Sequence, residues 1–334
     1  MTRPDASELV AVDIGGTHAR FAIAAVAPGG AITLGEPVTL QTRDHASFQT
    51  AWQEFARRSG GSLPPAAAIA IAGPVGGELI RFTNNPWTIR PAGLPADLGV
   101  GAVTLVNDFA AVAHAVARAD PGDFVHLCGP DAPLPGEGVI SVVGPGTGLG
   151  VGWLRRAKNQ DGGAGGYHAQ ATEGGHFAFA PLDAIEEAIL ARLRTRHSRV
   201  SVERVVAGPA IVDIYEALAG IEGRAVEQLD DRTIWERGAS GADSLAAAAI
   251  ERFCLSLGSV AGDVALVQGA SAVVIAGGLG LRIRDTLVTS GFASRFTAKG
   301  RFEGMMAAMP VKLITHPQPG LFGAAAAFAQ EHPA

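Results

Sequence analysis

Asp13-Ile-Gly-Gly-Thr-His-Ala-Arg20 sets a carboxylate ahead of two bare glycines and a hydroxyl. Backbone N–H groups at Gly15 and Gly16 can come close to anionic oxygens, and Thr17 adds a side-chain donor. Asp13 cannot bind a phosphate directly, but it can hold a hydrated Mg²⁺ against one. The plainer alternative is that Asp13 caps the turn. A second run, Gly144-Pro-Gly-Thr-Gly-Leu-Gly150, puts Gly146, Thr147 and Gly148 in the same kind of turn. No G-x-G-x-x-G register fits it, because Leu149 and Val151 stand where the last glycine would be needed. No Gly-Lys-Ser/Thr occurs either, so a dinucleotide fingerprint and a P-loop are both excluded.

Three further groups carry chemistry. Ile275-Ala-Gly-Gly-Leu-Gly280 lets a purine lie flat against Gly277 and Gly278, or simply makes a tight strand-to-helix turn. Val106-Asn107-Asp108-Phe109 ends an apolar run and begins a helix; its first reading is a cap. Its functional reading is Asp108 as a general base for a substrate hydroxyl. Glu173-Gly-Gly-His176 places a carboxylate and an imidazole around two glycines, without H-E-x-x-H spacing or a nearby cysteine that would favour zinc. Glu203, in Ser201-Val-Glu-Arg204, stands at a predicted helix start, where a capping acid is the bland reading.

The elements that position these groups are short β-rich runs ending in glycine. Strands are predicted at 9–14, 20–26, 33–40, 67–72, 77–82, 103–106, 139–143, 151–154, 273–276 and 311–315. Helical periodicity covers 46–58, 109–119, 183–195, 202–207, 211–219, 242–265, 281–290 and 321–330. The class is therefore α/β with mixed sheets. The polar, Gly-rich segment Arg155–His168 reads as a hairpin tip or mobile loop. Val12–Ala24 and Val142–Leu154 both read strand, Gly-Thr turn, strand. This weak repeat suggests two related half-domains whose turns make a cleft with N–H groups on both walls.

The whole chain of 334 residues is 48% hydrophobic and 17% charged, which excludes disorder and a coiled coil. A net charge of −6 argues against a nucleic-acid binder. Cys128 and Cys254 are too few for a zinc cluster or a disulfide scaffold. The first residues lack the apolar run of a signal peptide. The apolar stretch Val264–Leu281 contains Gln268 and four glycines and reads as a helix end, a strand and a turn, not a membrane span. A cytoplasmic protein without nucleic-acid or membrane partners is expected.

DIGGTHAR, TNNPW (Thr83–Trp87), VNDFAA, GPGTGLG, TEGGH, VERVVAGP, IAGGLG and PGLFGAAA occur in that order. Together they resemble bacterial glucokinases across nearly the whole chain. The resemblance implies the actin, Hsp70 and sugar-kinase superfamily fold: two ribonuclease-H-like, actin-like ATPase domains closing over ATP and sugar. It implies a small domain of residues 1–118 plus 316–334 and a large one of 119–315. It implies transfer of phosphate from ATP, with Mg²⁺, to D-glucose, giving glucose 6-phosphate, and a homodimer. Asp108 is similar to the catalytic base and also touches the sugar. Asn84, Asn107, Glu173, His176 and Glu203 match sugar-hydroxyl positions. Gly15, Gly16 and Thr17 match the first phosphate turn, with Asp13 near the metal; Gly146, Thr147 and Gly148 match the second, and Gly277 and Gly278 the adenosine motif. Nothing follows for His18 or Asn85-Pro86. A related branch of repressors and sugar kinases carries a Cys-rich zinc motif after Gly-Gly-His, but Phe177-Ala-Phe-Ala-Pro follows here, so the chain looks like the zinc-free branch. The rivals are a kinase for another hexose or amino sugar, a sugar-sensing protein without catalysis, and an ATPase that holds no sugar. A repressor would need a DNA-binding head, and the first strand begins by about residue 9, while the Asn, Asp, Glu and His set disfavours the sugar-free ATPase.

Overall fold

Ser7–Ile14 (β1) does not alternate buried and exposed residues; from Leu9 to Val12 it is buried throughout. A strand with that profile must be covered on both faces. The computed structural model, which describes residues 7–82, 85–158, 164–225 and 227–333, shows how. Val10, Val12 and Ile14 join a core with Phe21, Phe48, Trp52 and Phe55, the last three on the helix Phe48–Arg58. The C-terminal helix Pro319–Glu331 also packs against β1, and Gly320 on it abuts Asp13.

The chain divides into two compact units, Met1–Ala119 with His316–Ala334, and Asp120–Thr315. In the first unit β1 pairs antiparallel with β2 (His18–Val26), which pairs with β3 (Ile32–Leu34) and β4 (Val38–Gln41). On its other side β1 runs parallel to β5 (Ala66–Ile71), which runs parallel to the strand Ala102–Asn107. A separate two-stranded ribbon pairs β6 (Ile80–Arg81) with β7 (Thr88–Ile89); Ala102–Asn107 is β8. The alanines of β5 leave little bulk on the strand, so a Gly- and Ala-rich helix can lie close to it.

The second unit repeats the plan. Its sheet runs β12 (Ala164–Thr172), β11 (Leu149–Lys158), β10 (Gly138–Pro145), β13 (Ala270–Ile275), β14 (Val311–Ile314), with β9 (Phe124–Cys128) added at the edge. The first three are antiparallel neighbours, and β10, β13 and β14 are parallel. The order β3-β2-β1-β5-β8 has the same sense, and the Gly-Thr turn joins β1 to β2 just as its counterpart joins β10 to β11. The repeat read from two short motifs is thus a repeat of sheet topology.

Several predicted elements change. The run 33–40 splits into β3 and β4 around Gly35-Glu36-Pro37, since proline lacks the N–H a strand interior needs. The run 77–82 keeps only Ile80–Arg81 as strand. The helix predicted at 202–207 is one 3-10 turn, Val202–Arg204; Val205 and Val206 beyond it sit in the core, and Gly208–Ala210 makes a second such turn. The helix at 281–290 breaks at Ile283 into two short pieces. Of the segment 155–168, residues 155–158 and 164–168 are strand, with β11 and β12 paired antiparallel as far as Lys158 opposite Ala164, while 159–163 lie outside the described residues. Absent from the predicted elements are the helix Asp231–Ala239, which has few apolar residues, and the edge strand β9, an apolar run only five residues long. Ser244–Gln268 is long and apolar enough to cross a membrane, but 72% of its most apolar window is buried within the protein. Gly269 ends it in a left-handed conformation (φ 61°) before β13.

Candidate active site

In the first unit the candidate residues gather where parallel strands end. Ile14 stands opposite Ile71, and Ile71 opposite Asn107, so the turn after β1 and the helix after β8 leave the same end of one sheet. Ligands in α/β sheets bind at such ends. The turn closes through Gly15 N–H to His18 O at 2.9 Å. Asp13, one residue before the end of β1, pairs across the ladder with Arg20, whose Nη1 lies 3.1 Å from Oδ2. Burial pushes the Asp13 carboxyl above its ordinary range, and the Arg20 guanidinium pulls part of that back. A Cβ on Gly320 would lie 2.8 Å from Asp13 Cγ, so that glycine is the seat of the carboxylate.

Asn107 is first of all a cap. Its Oδ1 accepts from Phe109 N–H at 2.9 Å and Ala110 N–H at 3.1 Å, and its Nδ2 donates to Gly73 O at 3.0 Å. With the side-chain oxygen engaged, the amide's second N–H is what it can offer a sugar. Asp108 begins the helix Asp108–Arg118 and is half-buried, with Oδ1 accepting from Phe109 N–H at 2.8 Å. Asn84 lies outside the described residues.

In the second unit the candidates converge on Leu149, just past the turn between β10 and β11. Gly146 N–H donates to Gly148 O at 2.8 Å, and Gly146 O accepts from Gly208 N–H at 2.7 Å. The Glu203 carboxylate occupies the space a Cβ on Gly148 would need, with Oε2 only 2.5 Å from that position. The same oxygen accepts Leu149 N–H at 2.9 Å. A Cβ on Gly175 would meet Leu149 O at 2.2 Å, so the turn Gly174–His176 lies directly on this strand. Val202 N–H donates to Phe177 O at 2.9 Å and ties the Glu173 segment to the Glu203 segment. Glu173 and His176 are both exposed, with Nε2 and Oε2 3.8 Å apart.

Gly277 has φ 89°, and a Cβ there would lie 2.7 Å from Pro145 O, so backbone shape and close approach both require glycine. Gly278 is different: its φ is ordinary and a Cβ would meet nothing within 4 Å. Its bare face is open. Gly175 and Gly208 stood inside quoted motifs without a role, and only their contacts reveal that they set the second turn. Among the described residues no group of three His, Cys, Asp or Glu is placed to hold a metal.

A family model described as Glucokinase matches residues 9–331. The glucokinase of Zymomonas mobilis is 56% identical over 325 residues, covering 97% of this chain and 98% of that protein. Among solved structures, a glucokinase from an Antarctic psychrotroph matches with TM-score 0.83 at 30% identity, over 97% of this chain and 99% of that one. A ROK family glucokinase from Streptomyces griseus, in complex with glucose and AMPPNP, matches with TM-score 0.61 at 20% identity, over 97% and 100%. The fold is that of the actin-like sugar kinases.

Proposed function

The chain belongs to the glucokinase family, and we propose that it transfers the γ-phosphoryl group of ATP to the 6-hydroxyl of D-glucose with Asp108 as the general base. The observation that carries the residue assignment is the register Ile14–Ile71–Asn107, which sets the first glycine turn and Asp108 at one end of one sheet. Asp108 accepts the 6-hydroxyl proton as that oxygen attacks the γ-phosphorus in line; the bond to the β-phosphate oxygen breaks and ADP leaves. Such a transfer needs positioning and charge neutralisation more than covalent chemistry. The turn Gly15–Thr17 in the first unit and the turn Gly146–Gly148 in the second offer phosphate oxygens the N–H groups of Gly16, Thr17, Thr147 and Gly148 and the hydroxyls of Thr17 and Thr147, while the Gly15 and Gly146 N–H groups close the turns on His18 O and Gly148 O. Gly277 and Gly278 take the adenosine.

Asn107, Glu173, His176 and Glu203, with Asn84, hold the sugar hydroxyls. A wrong epimer that leaves one such group unpaired costs about 1–3 kcal/mol. Mg²⁺, when bound, supplies positive charge at the β- and γ-phosphate oxygens. Asp13 is the residue that would hold it, through water: one hard carboxylate, with phosphate and water completing the shell, suits Mg²⁺ better than an all-protein cage. The same reading makes the protein a cytoplasmic homodimer. A substrate panel separates glucose from other hexoses and amino sugars.

Asp108→Asn tests the assignment. It should lower kcat by ~10²–10⁴, with circular dichroism and glucose affinity retained. Near-normal turnover would overturn the role given to Asp108.

A further inference from the structure

A phosphate-binding turn works only while its N–H side faces the anion and its carbonyl side is held away from it. Because each peptide is planar and trans, the oxygen of one residue and the N–H of the next point in opposite directions. Whatever grips a carbonyl therefore aims the following N–H. In the turn Gly15–Thr17 every carbonyl is gripped. Gly15 O accepts from Asn85 Nδ2 at 3.4 Å, Gly16 O from the Thr42 hydroxyl at 3.0 Å, and Thr17 O from Thr42 N–H at 3.0 Å. Thr42 follows β4 directly and is 3% exposed, so its hydroxyl has little access to water.

The Thr17 hydroxyl is oriented as well. His18 Nδ1 lies 2.9 Å from Thr17 Oγ1, and His18 Nε2 lies 3.0 Å from the Gln41 amide nitrogen. An amide nitrogen only donates, so with the Gln41 amide in this orientation His18 Nε2 accepts and Nδ1 carries the proton. Nδ1–H then donates to Thr17 Oγ1, which leaves the threonine's own proton for an anion. Gln41 and His18 face each other in the β2–β4 ladder, so sheet pairing sets this chain of donors.

We propose that Thr42 is a positioning residue for phosphoryl transfer, aiming the Thr17 N–H at a phosphate oxygen, and that Gln41 and His18 aim the Thr17 hydroxyl proton the same way. This rests on the reading of Gly15–Thr17 as a phosphate turn. It assigns a role to His18, for which the motifs implied none, and to Thr42, which lies outside every motif.

The test is calorimetry with Mg-AMPPNP and, separately, with glucose. Thr42→Val removes the hydroxyl at nearly constant volume and should raise the nucleotide Kd about five- to tenfold. Thr42→Ser should restore it to within about twofold, and the glucose Kd should not move in either variant. His18→Ala should raise the nucleotide Kd by a few fold and carries the test should Thr42→Val fail to fold. Thr17→Val checks the underlying reading. If Thr17→Val weakens nucleotide binding while Thr42→Val and His18→Ala do not, the brace is refuted and the turn stands. Equal losses for nucleotide and glucose in Thr42→Val would mark Thr42 as a general structural residue and also refute it. Unchanged nucleotide affinity in Thr17→Val would refute the hydroxyl arm through Gln41 and His18; unchanged affinity in Thr17→Val, Thr42→Val and His18→Ala together would remove the phosphate turn itself, and the brace with it.

Discussion

Two carboxylates assigned to the sugar have different surroundings, and their removal should read differently. Glu173 stands on an exposed turn with His176 as its partner at 3.8 Å. Glu173→Ala should raise KM for glucose far more than KM for ATP. It should also narrow the gap in kcat/KM between glucose and 2-deoxyglucose, because a polar partner for a hydroxyl is gone. Glu203 is already engaged by the second turn through Leu149 N–H and through the space left by Gly148. Glu203→Ala strips the acceptor from a backbone N–H, a cost of about 1–3 kcal/mol, and should raise KM for both substrates. Glu203→Gln keeps an acceptor there, so KM for ATP should recover while KM for glucose stays high. Steady-state kinetics with each substrate varied in turn make the comparison. If alanine and glutamine raise KM for ATP equally, Glu203 does not support the turn.

At the scale of elements, the C-terminal helix Pro319–Glu331 shows how two glycines in one helix serve different ends. Glycine inside a helix is worth about 1 kcal/mol less than alanine, so Gly→Ala would ordinarily stabilise. At Gly323 a Cβ would sit 1.7 Å from Ala111 O on the helix Asp108–Arg118. That obstacle is backbone and has no rotamer to change. Gly323→Ala should therefore lower Tm, with overpacking costing about 1–3 kcal/mol, and a raised Tm would contradict this packing. At Gly320 the obstacle is the Asp13 carboxyl, 2.8 Å from the added carbon. Gly320→Ala should leave Tm nearly unchanged, lower kcat and raise the Mg²⁺ concentration needed for half-maximal rate.

For the molecule as a whole, Asp183 should set part of the acid limit of stability. It caps the helix Ala184–Arg194 through the N–H groups of Ile185 and Glu186, both at 3.0 Å. It also pairs with Arg252 and Arg295, which come from the helices Ser244–Gln268 and Phe292–Thr297. Burial alone would raise the Asp183 carboxyl, but the Glu186 N–H and the two guanidinium groups outweigh it and hold it below the ordinary carboxylate range. A carboxyl lowered in the folded state stabilises the protein above its unfolded value, about pH 3.9, and that contribution is lost as the pH falls through the folded value. Tm should therefore decline below about pH 4. Asp183→Asn should lower Tm at pH 7 and flatten the acid limb; melts between pH 7 and 3 check both, and an acid limb as steep as in the parent protein would rule the pair out as its source.

Composition and contiguous motifs were enough for the α/β class, the repeat and the family, because glycine turns, caps and strand ends are written within a few neighbouring residues. Asn107-Asp108 lies at a strand end and helix start as its residue types require, and Gly277-Gly278 opens a helix after β13. The splitting of 33–40, the single turn at 202–204 and the continuation of strand through 155–158 were not legible, since packing and ladder pairing override local pattern there. The candidate site divides along the same line. Gly15–Thr17 and Gly146–Gly148 are visible as strings, yet Thr42 grips Gly16 from 26 residues away and Glu203 reaches Leu149 across 54. Gly208 holds Gly146, and Gly320 makes room for Asp13. A chain can encode within one turn which N–H groups are free, but which distant donor takes the opposing carbonyl depends on sheet register and helix packing, and those exist only once the strands have paired.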